Sequence, residues 1–283
     1  MADFVFRVFD VEHGACAIMM SPIGDRIAMV DSGHNDSTGW RPSTFIRYSL
    51  QRTALDYLFI TNADQDHLSD LEGLWTHGVS VTTLHRNPSP SSDILRVIKE
   101  SQGDLTDDIE RFLQIHEGYN GPVPVPFNTS MGGVTCSAFS NSYPDFTDTN
   151  NLSLAVFIKF GDFKILFPGD LEKDGWRALL ANAAFVQELA GTSILVASHH
   201  GRENGFCGDV FNHFTPQAVV ISDKPIVHAT QEMVPDYRNV VAGNGVAVVN
   251  QSRRRHVLTT RRDGDIIFKV SDTGTYTIET TSA

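Results

Sequence analysis

Four short polar clusters in this sequence each follow a run of apolar residues, and their side chains suit metal binding. The clusters are residues 31–34 (Asp-Ser-Gly-His), 62–67 (Asn-Ala-Asp-Gln-Asp-His), 169–170 (Gly-Asp) and 199–201 (His-His-Gly). Carboxylate and imidazole ligands together favour Zn²⁺, Mn²⁺ or Fe²⁺. Each cluster alone is commonly a turn or a helix cap. Their joint occurrence, each after an apolar run, indicates one shared metal site.

Asp66 and His67 are adjacent in the sequence, so the local backbone decides whether both can bind the same ion. Neighbours on a strand point to opposite faces, so both side chains reach one ion only where the chain turns sharply. A strand-to-helix junction supplies such a turn, and residues 68–75, with helical spacing, follow the apolar run 55–61. A divalent ion with an open position lowers the pKa of its bound water and generates hydroxide near neutral pH. The pattern therefore predicts hydrolytic chemistry.

Predicted strands and helices alternate along the chain, and strands dominate both halves. The predicted strands are residues 4–11, 15–20, 26–30, 55–61, 134–140, 152–160, 163–167, 193–198 and 218–222, with two more in the tail 256–280. The predicted helices are residues 43–51, 68–75, 93–116 (as one helix or two) and 173–189. No linker divides the chain, so we expect a single domain over residues 1–283, with two sheets inside and helices outside.

The composition suits a globular protein, with 41% hydrophobic and 20% charged residues among 283. The formal charge of −12 disfavours non-specific adhesion to nucleic acid or anionic membrane, although a locally basic groove is compatible with it. Cys16, Cys136 and Cys207 are widely spaced, which argues against a cysteine zinc cluster and predicts reduced thiols. Because the N-terminus lacks signal-peptide features and no long apolar run is present, we expect no membrane association and a cytoplasmic location.

The order of the motifs resembles that of metallo-β-lactamase-fold hydrolases. The motifs are Asp-Val-Glu-His-Gly (residues 10–14), Val-Asp-Ser-Gly (30–33), Thr-Asn-Ala-Asp-Gln-Asp-His (61–67), Phe-Pro-Gly-Asp (167–170) and Ser-His-His-Gly (198–201). The resemblance covers about residues 4–225, and its subgroup is the one related to the hydrolase domain of the bacterial competence DNA-uptake channel ComEC. It implies an α/β (α+β) chain folded as a four-layer αβ/βα sandwich. The metal site would lie at the edge between the two sheets.

The resemblance also implies a ligand set for one metal position. Asp66, His67 and Asp170 would bind the ion together with one histidine of the pair His199–His200. We favour His199 as the ligand. His200 would then lie behind the ligands or act as general acid.

The family has a second metal position, and the residues at that position are altered in this chain. Where the family has His-x-His-x-Asp-His, this sequence has Asn62 and Asp64 in place of the two leading histidines, although the ComEC-like subgroup also has Asp at the second place. Asn150 or Asn151 stands where the family has a further histidine. Either the protein works with one metal, or these oxygen donors, including Asp64 as a ligand, take a harder ion such as Mn²⁺ or Mg²⁺.

The implied reaction is attack by metal-bound hydroxide, on one or two Zn²⁺ or Mn²⁺ ions. Asp64 or Asp66 would orient the water as general base. His200 or Arg202 would protonate or stabilise the leaving oxygen. The residues expected around the ligands, on the substrate or behind the metal, are Asp31, His13, Asn62, Asn150 and Arg202. For His13, an ordinary loop histidine is the alternative.

The substrate expected from the ComEC-like resemblance is a phosphodiester, in nucleic acid or in a small nucleotide. The tail agrees with this, because it contains Arg253, Arg254, Arg255, His256, Arg261 and Arg262. A solvated surface run is the alternative interpretation of these residues. The fold does not fix the substrate, so another small ester, lactone or lactam remains an alternative. A non-catalytic binding or partner subunit is a further alternative, and Asn62 favours it.

Overall fold

The strands of the computed structural model, which describes residues 3–24, 26–121, 127 and 131–282, follow the predicted apolar runs except at residues 80–85, where the sequence predicted no strand. They are β1 (Phe4–Val8), β2 (Ala17–Met20), β3 (Ile27–Val30), β4 (Ala54–Phe59), β5 (Ser80–His85), β6 (Thr135–Ser140), β7 (Leu154–Phe160), β8 (Phe163–Phe167), β9 (Ile194–Val196), β10 (Ala218–Ile221), β11 (Val257–Thr259), β12 (Ile266–Val270) and β13 (Tyr276–Thr280).

These strands form two mixed sheets within the described residues. The first sheet has the order β13-β12-β1-β2-β3-β4-β5, and the second has the order β11-β10-β9-β8-β7-β6. Strands β3, β4 and β5 are parallel to one another, as are β8, β9, β10 and β11. The carboxyl ends of parallel strands lie at one edge of a sheet, and that edge is where ligand sites collect. All four predicted polar clusters follow strands of these two parallel groups.

The helices cover the outer faces of the sheets. They are α1 (Pro42–Thr44), α2 (Gln65–Leu68), α3 (Leu71–Thr76), α4 (Ser92–Glu100), α5 (Asp107–Gly118), α6 (Lys173–Leu180), α7 (Ala183–Leu189), α8 (Val234–Asn239) and α9 (Thr260–Asp263). A π-helical segment, Phe45–Ser49, continues α1. Of the helices in the described ranges, none has the length and apolar character that crossing a membrane requires.

Three apolar clusters fill the spaces between the layers of the described structure. The central cluster joins the two sheets, where Phe6 stacks on Phe268 with ring centroids 4.5 Å apart. A second cluster packs the first sheet against α3, α4 and α5. A third packs the second sheet against α6 and α7, where Phe157 and Phe185 meet edge to face. The order helix, sheet, sheet, helix is the predicted four-layer αβ/βα sandwich.

Several predicted elements divide in the structure. Of the two alternatives predicted for residues 93–116, the structure has two helices, whose first turns are capped by Ser91 and Thr106. The predicted helix 173–189 divides at the cap Asn182. The tail contains three strands in the described residues, so the prediction of two was wrong; the short strand Val257–Thr259 pairs with β10 in parallel. Residues 1, 2 and 283 of the expected domain lie outside the described residues, and its assignment as one domain stays a prediction.

Candidate metal centre

Side chains from three strand ends meet at the edge where the two sheets join. Asp66 and His67 lie in α2, directly after β4. Asp170 follows β8, and His200 lies in the 3₁₀ turn Ser198–Gly201 after β9. One ligand atom from each of these four residues lies within 4.8 Å of the other three.

The four side chains are close enough for one ion to bind all of them. Nε2 of His67 is 3.1 Å from Oδ1 of Asp170. Nε2 of His200 is 3.0 Å from Oδ2 of Asp66 and 3.6 Å from Oδ1 of Asp170. His67, Asp170 and His200 are buried, whereas Asp66 is partly exposed. The cluster therefore has a single open side, next to Asp66.

Opposite charges dominate the electrostatics of this cluster. Burial lowers the pKa of His67, but the carboxylates of Asp170, Asp31 and Asp66 outweigh burial and hold that pKa well above its ordinary value. Burial likewise lowers the pKa of His200, but Asp170 and Asp66 raise it to about 10. Burial raises the pKa of Asp66 and Asp170, yet the two histidines hold both values well below the ordinary range. Two carboxylates thus face two histidines that carry protons in the metal-free protein.

The remaining nitrogen of each histidine is fixed by a neighbour from another element. Nδ1 of His67 lies 2.9 Å from Oδ2 of Asp31. Asp31 itself accepts from the backbone N–H of Thr61 at 2.7 Å and from its hydroxyl at 2.6 Å. Nδ1 of His200 lies 3.0 Å from the carbonyl oxygen of Ser222. With Nδ1 donating in both rings, Nε2 is the nitrogen available to an ion.

The backbone around the histidine pair is strained. His199 and His200 have φ values of 51° and 53°, and L-residues rarely adopt this left-handed region. Such residues cost about 1–3 kcal/mol each and persist where the surroundings impose them. Here the backbone N–H of His199 donates to Gly169 O at 3.1 Å, and the Ser198 hydroxyl donates to Leu171 O. The strain is stored next to the ligand cluster, as at many functional sites.

His200, and not the favoured His199, joins the ligand cluster. Nε2 of His199 is 3.9 Å from Oδ2 of Asp170, and its Nδ1 is 3.6 Å from Oε1 of Glu172. Burial lowers the pKa of His199, in contrast to that of His200. The structure thus corrects our placement of the two histidines and puts His199 on the rim beside Glu172. Sequence reasoning missed Glu172, because it lies two positions beyond the Gly-Asp motif.

Asp64 is also absent from the ligand cluster, contrary to its predicted roles as ligand and general base. Its carboxylate is 2.5 Å from the ammonium of Lys99 and accepts the hydroxyl hydrogen bond of Thr149. Asn62 donates to Asp64 at 3.0 Å and to Asn150 at 3.2 Å. The structure brings the predicted residues of the second position together, but as a hydrogen-bonded network around a lysine that sequence reasoning missed.

His13 and Arg202 lie at the open side of the cluster. Nε2 of His13 is 3.5 Å from Oδ2 of Asp66 and accepts from Nη2 of Arg202 at 3.0 Å. Nδ1 of His13 is 3.2 Å from Oδ1 of Asp223, a fully buried carboxylate directly after β10. Sequence reasoning missed Asp223, although it follows an apolar run as the other clusters do. Arg202 makes no ion pair with a carboxylate of the described residues.

A basic cavity, here called the arginine cleft, lies beyond Asp223. It measures about 450 Å³, and its lining includes Arg238, Arg253, Arg254, Arg255, Arg261 and Arg262. Arg255 forms a two-contact ion pair with Asp263, and Nη1 of Arg261 lies 3.6 Å from Oδ2 of Asp223. The other four arginines of the lining have no carboxylate partner among the described residues. The cleft therefore carries unneutralised positive charge in an acidic protein.

The donor set of the cluster fits a divalent transition metal. Two carboxylates and two imidazoles are the ligand types of Zn²⁺, Mn²⁺ and Fe²⁺ sites. Nε2 of His200 is buried and faces two carboxylates, at 3.0 Å from Oδ2 of Asp66 and 3.6 Å from Oδ1 of Asp170. An imidazole nitrogen that faces two carboxylates in a buried site is the donor arrangement of a divalent-metal site. Each histidine also has the carboxylate or carbonyl neighbour typical of metal-binding imidazoles.

Comparisons with known proteins identify the fold. No protein-family model matches the sequence. The metallo-β-lactamase fold protein YhfI from Bacillus subtilis has a TM-score of 0.51 at 11% identity, covering 98% of this chain and 100% of that one. A variant of the β-hydroxylase CmlA also has a TM-score of 0.51, at 14% identity, covering 95% of this chain and 54% of the CmlA chain. The chain therefore has the metallo-β-lactamase fold that its motifs predict.

A curated relative agrees with the predicted subgroup. ComE operon protein 3 of Bacillus subtilis (strain 168) is 23% identical over 173 residues, which are 59% of this chain. The match covers 20% of that protein, so this chain corresponds to about a fifth of its length. This similarity agrees with the ComEC-related motifs.

Proposed function

We propose that this metallo-β-lactamase-fold chain is a metal-dependent hydrolase of phosphodiester bonds, in nucleic acid or in a small nucleotide. The observation that carries the proposal is a series of contacts from the ligand cluster to the arginine cleft. Asp66 contacts His13 at 3.5 Å, His13 contacts Asp223 at 3.2 Å, and Asp223 contacts Arg261 at 3.6 Å. A substrate whose reacting bond lies at the cluster would place its neighbouring groups near guanidinium groups.

The charge distribution favours an anionic substrate. The whole chain has a formal charge of −12, so a cleft lined by arginines is a local exception that needs a reason. Guanidinium groups bind phosphate oxygens through paired N–H donors, which makes arginine a preferred phosphate ligand. Arg202, which has no described carboxylate partner, adds positive charge at the open side of the cluster. A neutral lactone or lactam would make no use of this charge.

The residues of the site have distinct roles in this proposal. Asp66, His67, Asp170 and His200 would hold the ion, which we expect to be Zn²⁺ or Mn²⁺. A bound ion of this kind supplies Lewis acidity and lowers the pKa of a water ligand. Asp31 and the Ser222 carbonyl fix the two imidazole rings through Nδ1.

The chain's own residues at the open side would bind the substrate. Arg202 donates toward the His13 ring and lies where an anionic oxygen would approach Asp66. Asp223 holds the His13 ring from the opposite side, which fixes that ring between the cluster and the cleft. Water is excluded from the inner side of the cluster, because His67, Asp170 and His200 are buried. The hydrolytic water therefore has to enter from the Asp66 side.

The test is hydrolysis of bis(p-nitrophenyl) phosphate by protein loaded with Zn²⁺ or Mn²⁺. We expect activity that a chelator removes and the added ion restores. Asp170→Asn should lose both activity and stoichiometric metal. Asp272→Asn, which changes an exposed carboxylate in the turn between β12 and β13, should retain both. Loaded protein that hydrolyses a lactone, thioester or β-lactam but no phosphodiester would overturn the proposed substrate class.

A further inference from the structure

We propose that the ammonium group of Lys99 occupies the place of the altered metal position, so that the centre takes one divalent ion. This inference rests on the proposed metal-dependent function. The sequence leaves open whether the centre binds a single metal or also a second, harder ion at this position, and the inference concerns that choice. Asp64 would be the main ligand of a second ion, and the described contacts of Asp64 decide the question.

The carboxylate of Asp64 is engaged by hydrogen-bond donors on both of its oxygens. Oδ1 accepts from Nζ of Lys99 at 2.5 Å and from the Thr149 hydroxyl at 2.9 Å. Oδ2 accepts from Nδ2 of Asn62 at 3.0 Å and from the same Thr149 hydroxyl at 3.1 Å. Three donors therefore surround this carboxylate, and the single Thr149 hydroxyl is shared between its two oxygens. A second ion would have to displace these donors.

The two asparagines of this position act as hydrogen-bond donors. Asn62 directs its amide nitrogen at Asp64 and at Oδ1 of Asn150. Asn150 directs its own amide nitrogen at Oε1 of Glu172, at 3.0 Å. Oδ1 of Asn62 is buried without a hydrogen-bond partner among the described residues. Of the oxygen donors at this position, Oδ1 of Asn62 is the amide oxygen that these hydrogen bonds leave for an ion.

Lys99 is held in place by two polar partners. Its side chain is only 8% exposed, and its Nζ has two contacts, Asp64 and Oε1 of Gln102. A buried ammonium is unfavourable unless it is paired with an anion, and Asp64 is its described ion-pair partner. A divalent ion near Asp64 would repel this ammonium and compete for the same oxygens. The ammonium of Lys99 therefore neutralises the charge of Asp64 and excludes the second ion.

Lys99 is thus a positioning residue for the one-metal centre. It comes from α4 and fixes Asp64, which in turn anchors Asn62 and Thr149 beside the cluster. Positive charge for an anionic substrate would then come from one ion and from arginine side chains. The two-ion clamp that many phosphodiester hydrolases use would be absent from this centre.

Metal stoichiometry tests the inference without any substrate. The full chain is stripped with chelator, titrated with Mn²⁺, and followed by elemental analysis and electron paramagnetic resonance. We expect one equivalent of bound Mn²⁺ with the spectrum of an isolated ion. Two equivalents with the spectrum of an exchange-coupled pair would overturn the inference and leave the proposed function standing. Absence of any bound metal would overturn the proposed function itself.

Substitution of Lys99 provides a second test in the same Mn²⁺ titration. Lys99→Met removes the ammonium and frees Asp64, so a second, weaker equivalent of Mn²⁺ should appear. Lys99→Arg keeps the charge and should remain at one equivalent, as should Lys159→Met, which changes an exposed lysine on β7. A folded Lys99→Met protein that still stops at one equivalent would contradict the role of the ammonium. If Lys99→Met fails to fold, the wild-type stoichiometry decides.

Discussion

Oδ2 of Asp31 lies 2.9 Å from Nδ1 of His67, and both side chains are almost fully buried. The contact joins the carboxyl end of β3 to helix α2 and leaves Nε2 of the same ring 3.1 Å from Asp170. Asp31 makes this contact with its backbone in the left-handed region, at a φ of 58°. A carboxylate behind an imidazole fixes the tautomer and the ring orientation, so it controls the affinity of the ring for a metal.

We therefore expect Asp31→Asn to weaken metal binding about 10- to 100-fold with the fold retained. Asn tolerates the left-handed backbone, and its oxygen can still accept from the backbone N–H of Thr61. Its NH₂ group, however, cannot accept the proton of His67. Competition with a chelator measures the affinity, and circular dichroism verifies the fold. Asp272→Asn is the matched control, and equal affinities in the two variants would refute the orienting role.

Gly14 controls the position of the Asp66 backbone. A Cβ at residue 14 would lie 2.4 Å from the carbonyl oxygen of Asp66, and Gly14 has a φ of 145°. Gly103 has a similar φ of 154° but nothing within 4 Å of the added Cβ. We expect Gly14→Ala to destabilise the protein by about 1–3 kcal/mol more than Gly103→Ala, because the backbone of residue 66 must move.

The measurement for this pair is urea unfolding of the metal-free proteins, together with metal titration of each. Both variants share the unfavourable φ, so their difference isolates the contact with Asp66. Gly14→Ala should also bind the ion more weakly than Gly103→Ala. Similar stability and similar affinity would show that residue 66 does not depend on this contact.

The arginine cleft should govern the binding of anionic substrate more than the chemical step. In the double variant Arg253→Ala, Arg262→Ala, two guanidinium groups without described carboxylate partners are lost. We expect KM for an oligonucleotide to rise with little change in kcat, and the salt dependence of binding to fall by about one unit of slope per arginine. The double variant Arg96→Ala, Arg177→Ala removes the same charge elsewhere. An equal rise of KM in that control would argue against a specific cleft.

His85 should make the stability of the protein depend on pH. Burial lowers its pKa to about 4, and its ring stacks on Phe59 with centroids 4.6 Å apart. Between pH 6.5 and pH 4 the unfolded chain binds a proton that the folded protein does not bind. The contribution of His85 is therefore fully present above pH 6.5 and is lost as the pH falls toward 4.

We expect His85→Phe to flatten the fall of the unfolding free energy in that window while keeping the aromatic stack. Urea unfolding at a series of pH values measures the slope. His213→Phe, at an exposed histidine, should leave the slope unchanged. A wild-type slope that survives in His85→Phe would mean that other groups cause it.

Much of this centre could be predicted because short-range sequence signals encode it. Strands end where an apolar run meets polar residues, and parallel strands bring those ends to one edge. This logic, with the motif resemblance, predicted a shared site for Asp66, His67 and Asp170 and an orienting role for Asp31, and the structure brings these four residues together. The same signals predicted the layers of the fold, because apolar runs of strand length must be buried between other elements.

Other features depend on the packing of distant elements. Lys99 is 35 residues from Asp64, and only the docking of α4 brings them together. Asp223 is 210 residues from His13. Neither pair has a local sequence signal, because an ion pair depends on the distance in space and on burial.

The sequence by itself determined the ligand types and the strand ends that present them, since both follow from local periodicity and side-chain chemistry. Tertiary structure alone decided which histidine of the pair faces the cluster, because both residues have a left-handed backbone that local sequence preferences do not predict. It also decided that the carboxylate of Asp64 meets an ammonium group, because the packing of a helix against a sheet fixes which charges become neighbours.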